Sequence, residues 1–127
     1  MKKSDFKKGQ DVFLLIKEGS NEHRRIKDKP FENRILRVTV TTVGSKYVTV
    51  QLNHWEKISF DIADDFRQAY DCSEDYKLFL TEQDIYDYEE SRALFKEIRI
   101  AFADYSSSEK YSLKQLKAIK AILENKN

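Results

Sequence analysis

Between Ile35 and Asn53 the chain reads ILRVTVTTVGSKYVTVQLN: two runs rich in Val and Thr, with apolar and polar residues alternating, parted by Gly44-Ser45-Lys46. Period-two alternation of β-branched residues marks half-buried strands, and a short glycine-containing break between two of them predicts an antiparallel hairpin. The pattern also predicts a register. A two-residue loop at Gly44-Ser45 pairs Val40 with Thr49 and Val38 with Gln51, an apolar residue against a polar one along the whole ladder. A three-residue loop, Gly44 to Lys46, pairs Val40 with Val50 and Val38 with Leu52, and gathers Leu36, Val38, Val40, Val48, Val50 and Leu52 on one face. Because a one-residue slip turns the buried set out to water, the second register is expected. The other face, Arg37, Thr39, Thr41, Tyr47, Thr49 and Gln51, is polar with one aromatic, and is either solvated or a contact surface.

Three more strands are predicted around this hairpin. Gly9 supplies a permissive backbone before Val12–Ile16, a continuous apolar run that suits a strand covered on both faces or one closing a small barrel. Ile58-Ser-Phe-Asp-Ile62 alternates, and Tyr76-Lys-Leu-Phe-Leu80 is the last strand candidate. Between them, Asp64 to Asp75 is acidic and irregular. The segment 18–34, with Gly19, Ser20 and the only proline, Pro30, shows no clear periodicity. It reads as a long loop, and loops of that length are usually functional or mobile.

From Thr81 the period changes to that of helices. Thr81 with Asp84 resembles a capping box, and the helix it starts carries an apolar stripe of Ile85, Tyr88, Leu94, Phe95, Ile98, Ala101, Phe102 and Tyr105. Acids crowd its first turns and bases follow, the order that suits the helix dipole. Ser106-Ser107-Ser108 is expected to end it. Ser112, with Gln115 in the capping-box position, starts a second helix with Leu113, Leu116, Ile119, Ile122 and Leu123 on one side. The two stripes suggest a helical hairpin that either packs on the sheet or builds a homodimer interface.

The expected fold is therefore α+β: a small curled antiparallel sheet or SH3-like barrel of about five strands, followed by a C-terminal helical hairpin. At 127 residues this is one domain, 1–127, with a barrel-like part at 6–80 and a two-helix part at 81–125. Composition keeps that picture: 40% apolar and 35% charged residues suit a well-solvated globular chain. The lone Cys72 excludes an internal disulfide and fits a reducing cytoplasm. No apolar run reaches membrane-span length and the N-terminus lacks a signal-peptide core, so the expected location is cytoplasmic, with no membrane partner.

Net charge is only +1, but its distribution is uneven: +5 over residues 1–37, −9 over 61–90 and +4 over 91–127. This basic–acidic–basic layout describes either two functional surfaces of opposite sign or segments that neutralise one another in the fold.

Three segments together resemble a known group of proteins. They are F-x-x-G-x-x-V at Phe6, Gly9 and Val12, V-T-x-V-G-x-K-Y-x-T-V from Val40 to Val50, and Y-K-L-F-L from Tyr76 to Leu80 followed by two helices. The set resembles small uncharacterised beta-barrel proteins of Gram-positive bacteria and their phages or other mobile elements. The opening F-x-x-G-x-x-V is also similar to the first strand of SH3-like barrels. The resemblance implies the architecture and a phage or mobile-element context, and no catalytic residue or cofactor.

The residues themselves give catalysis little support. His23 and His54 sit in no nucleophile–base motif, and Cys72 is surrounded by Asp71, Glu74 and Asp75, whose charge opposes a thiolate. No zinc-ligand spacing exists, and the acidic 61–75 stretch lacks the pattern and glycine of a calcium loop. Two binding functions remain. The preferred one is a non-enzymatic adaptor or inhibitor that meets an unidentified host or phage protein through Trp55, Asp64, Asp65, Tyr70 and Tyr86, aromatic anchors set among acids. The alternative is a nucleic-acid accessory protein using Arg24, Arg25, Lys27, Lys29, Arg34 and Arg37 beside Tyr47, a basic groove with a stacking ring.

Overall fold

A computed structural model describes residues 1–69, 75–103 and 110–125. Strand β1 (Asp11–Ile16) is followed by a short helix α1 (Asn21–Arg25) and a 3-10 turn at Phe31–Arg34. Then come β2 (Ile35–Val43), β3 (Tyr47–Gln51), β4 (Lys57–Asp61), the two-residue β5 (Arg67–Gln68) and β6 (Tyr76–Phe79). Helices α2 (Glu82–Ala103) and α3 (Leu113–Glu124) complete the described elements. The fold is α+β, as expected, with six strands in place of five.

All neighbouring strands are antiparallel, in the order β5-β4-β3-β2-β1-β6. The backbone N–H of Tyr76 in β6 donates to the side-chain Oε1 of Gln68 in β5 at 3.1 Å, so the two edges of the sheet approach each other and the barrel is nearly closed. Closure of this kind removes exposed strand edges.

The hairpin register forms as the alternation requires: Val40 faces Val50 and Thr39 faces Gln51. Nearer the turn the register shifts, because Thr41 is an extra residue in β2 and Thr42 faces Thr49. Such a bulge reverses the inside–outside parity of everything after it. Here it swings Val43 toward the core, although uninterrupted alternation from Thr39 and Thr41 would leave it on the polar face. The bulged Thr41 is held by its hydroxyl, which donates to the carbonyl of Thr49 at 3.1 Å.

The barrel interior holds Val12, Leu14, Val38, Val40, Val48, Val50, Ile58, Phe60 and Leu78, with Phe6 and Phe66 packed ring against ring at 5.3 Å. Phe66 reaches the core from a left-handed turn: Asp65 and Phe66 have φ of 52° and 57°. A non-glycine residue in that region costs on the order of 1 kcal/mol, which burial of a phenylalanine ring offsets. Leu15, Ile16, Phe79 and Ile85 are also buried, outside this cluster. The continuous Val12–Ile16 run is thus covered on both faces, and Ile85 brings the first turn of α2 into the buried surface.

The 18–34 segment is not a bare loop. Ser20 caps α1 by accepting the N–H of His23 at 3.1 Å, and the ring Nδ1 of His23 accepts the N–H of Gly19 at 2.9 Å. Five residues of helix with no apolar stripe leave no periodic trace in the sequence, which is why α1 was not expected. Both expected capping boxes form. Thr81 and Asp84 bond reciprocally at 3.1 and 3.2 Å, and Ser112 and Gln115 at 3.1 and 2.8 Å.

The chain divides into two compact units, Met1–Asp87 and Tyr88–Asn127, with the boundary inside α2 rather than before it. The Ser106–Ser108 terminator and Tyr105 lie outside the described residues. No helix among the described residues is long and apolar enough to cross a membrane.

Candidate interaction surface

The β3–β4 connection, Leu52-Asn53-His54-Trp55-Glu56, is short and heavily bonded. The Asn53 side-chain oxygen accepts the backbone N–H groups of Trp55 at 2.8 Å and Glu56 at 2.9 Å, an Asx turn that mimics a backbone turn. The N–H of Leu52 donates to the carbonyl of Glu56 at 2.9 Å, and the Gln51 amide donates to the carbonyls of Asn53 and Glu56. Every one of these bonds is local, so the loop is fixed by its own sequence. At its tip the Trp55 side chain is 92% exposed. An indole held in water on a braced loop makes no contribution to the core, and tryptophan is the residue type most enriched among interface hot spots.

Glu56 and Lys57 also line a polar cleft of about 290 Å³, together with Glu22, Ser59, Asp75 and Tyr76. Partial burial pushes the Tyr76 phenol up to about 12, and the negative charges of Glu22, Glu56 and Asp75 reinforce the shift. The cleft lining thus combines the Tyr76 phenol with three carboxylates, Glu22, Glu56 and Asp75. Asp75 also ties the α1 region to the barrel: its side chain accepts the N–H of Asn21 at 3.2 Å and its carbonyl the N–H of Lys17 at 2.8 Å.

The other residues expected on a protein-binding surface stand apart from Trp55. Asp64 and Asp65 are exposed, but they follow β4 whereas Trp55 precedes it. At about 3.3 Å per residue, the strand between them separates the two groups by roughly 16 Å. Tyr86 is 39% exposed on the first turns of α2, where its ring lies 6.0 Å from that of Phe31. Tyr70 and Cys72 lie outside the described residues. Much of the acidic stretch has local work instead: Asp61 caps the 3-10 turn at Ile62–Asp64 and Asp84 caps α2.

The basic set is also divided. Arg34 is buried: its Nε donates to the carbonyl of Ile16 at 2.9 Å, and its guanidinium lies 5.2 Å from the centre of the Phe31 ring. Its Nη2 has no hydrogen-bond partner. Arg37 meets Asp11 at 2.5 Å, and Arg25 meets Glu22 at 3.0 Å. Arg24, Lys27 and Lys29 remain exposed. Tyr47 is half-buried, with the Lys46 ammonium 5.3 Å from its ring.

Among family models, the one for the phage ProQ C-terminal-like domain matches residues 1–126. The chain belongs to that family. It is thus a phage-related small domain, which agrees with the context that its motifs implied. Comparison with curated proteins and with solved structures finds no match.

Sequence reasoning missed the cleft around Tyr76, whose lining comes from positions between 22 and 76 that no local pattern connects. The bracing of Trp55 was open to it, because Asn two residues before a solvent-facing aromatic is an Asx-turn signal.

Proposed function

We propose that this phage ProQ C-terminal-like domain is a non-enzymatic protein-binding module, an adaptor or inhibitor acting in the cytoplasm of a Gram-positive host. The observation that carries the reading is Trp55, almost wholly exposed on a loop that its own hydrogen bonds immobilise. Ordering a flexible anchor on binding costs about 0.5–1.5 kcal/mol per side chain, and a braced loop avoids most of that cost for its backbone. Glu56 and the carboxylates around Tyr76 favour a partner with a basic surface. The barrel, read as SH3-like, serves as the rigid support.

The test is capture of host proteins by tagged protein after nuclease treatment, comparing wild type with Trp55→Ala. The variant is expected to retain its melting temperature, since the side chain contacts water, and to lose its partner by tenfold or more, the usual effect of truncating a hot-spot tryptophan. Undiminished capture by the variant contradicts the proposal.

Arg24, Lys27 and Lys29, exposed within six residues of sequence, support nucleic-acid binding as the second reading. Charge reversal at Arg24, Arg25 and Lys27 separates the two. It abolishes a salt-dependent nucleic-acid complex and leaves capture through Trp55 intact.

A further inference from the structure

Among the described residues, helix α2 leaves several large apolar side chains exposed. Leu94 is 50% exposed, Phe95 66% and Ile98 56%. At 100° per residue, Tyr88, Ser91, Leu94, Phe95 and Ile98 fall in one stripe along the second half of the helix, and Phe102 continues it with its ring stacked on that of Tyr111 at 5.4 Å. A monomeric protein rarely leaves a contiguous stripe of this kind in water. Asp84 and Asp87 stand on the same line and end the stripe at Tyr88.

The borders of the stripe are charged, and each border has one sign. Glu90 and Glu97, seven residues apart, run along one edge; Arg92 and Arg99, also seven apart, run along the other. Two such helices can face each other about a two-fold axis in two ways. Running antiparallel, each edge meets its own copy, arginine against arginine and glutamate against glutamate. Running parallel, each edge meets the opposite one, with Glu90 near Arg92 and Glu97 near Arg99 of the other helix. Only the parallel pair sets each border against the opposite charge while it buries the stripe.

We infer that a second copy of this chain covers the stripe, the two α2 segments from Tyr88 onward running parallel about a two-fold axis with opposite charged borders in register. The pairing is independent of Trp55, which lies in the other compact unit. Within one copy, Arg92 already pairs with Glu89 at 3.4 Å and lies 5.7 Å from the centre of the Tyr88 ring, so its edge is held before association.

The test is sedimentation equilibrium of the full chain over a wide range of concentration. The expected result is a reversible dimer of the 15.1 kDa chain; a monomer at every concentration overturns the inference. Phe95→Lys with Ile98→Lys should give a monomer whose barrel retains its melting temperature. Arg92→Glu with Arg99→Glu makes both borders acidic and should weaken the dimer roughly tenfold, and adding Glu90→Arg and Glu97→Arg should restore it. An antiparallel dimer, with like borders already facing, is insensitive to the first double change, and that insensitivity overturns the parallel arrangement. As a geometric check, Ser91→Cys in a Cys72→Ser background should form an interchain disulfide on oxidation. A dimer that forms no such cross-link is not parallel.

Discussion

Asp11 and Arg37 show how a charge that looks available in the sequence is committed in the fold. They belong to paired strands, and the guanidinium donates to the carboxylate at 2.5 Å. That hydrogen bond, followed by the charge itself, holds the Asp11 carboxyl below its ordinary value. A carboxylate with a depressed folded pKa contributes stability that is fully present above its unfolded pKa and is lost as pH falls through the folded one. Arg37→Gln is therefore expected to lower stability at neutral pH and to make no difference in strong acid, where both proteins carry a protonated Asp11. Denaturant titrations of the two proteins across the acid range check this, and a constant gap between them counts against it. Arg34 was equally illegible as a buried residue. Its partners, the carbonyl of Ile16 and the face of Phe31, are backbone and aromatic rather than acidic, and neither leaves a charge pattern to read.

At the level of elements, legibility follows locality. Val40 against Val50 was readable because alternation over a whole hairpin leaves one register that buries the valines. Both capping boxes were readable because they span three residues. The bulge at Thr41 was not, since the extra residue is a β-branched threonine like its neighbours and changes parity without changing composition. Nor was β5, whose two residues are a strand only because Phe60 and Asp61 pair with them. The β3–β4 loop is the element on which function is proposed, and its rigidity is testable by itself. Asn53→Ala removes two hydrogen bonds at once and should cost about 1–2 kcal/mol of stability, while freeing the loop tip. Time-resolved anisotropy of Trp55 should then show faster local motion than in wild type. Equal anisotropy in the two proteins means that the Asx turn is not what holds the indole.

At the scale of the whole chain, the first unit surrounds a buried apolar core with its nearly closed sheet, whereas Leu94, Phe95 and Ile98 of the second unit are exposed. The uneven charge of the sequence is resolved within segments as much as between them: Asp11 with Arg37, Glu22 with Arg25, and acids spent on caps. The candidate site was therefore readable only in part. Trp55 is exposed at the tip of its loop, whereas Asp64 and Asp65 stand at the far end of β4. The Tyr76 cleft depends on contacts between distant positions.

Trp55 is the only tryptophan in the chain, so its fluorescence reports on the proposed anchor without labelling. In the free protein its emission should match that of fully hydrated indole, with free access to acrylamide. On titration with the partner recovered by capture, the emission should shift to shorter wavelength and quenching should fall as the indole enters a pocket. A saturated complex in which emission and quenching stay at their free values would place the partner elsewhere on the molecule and contradict the account.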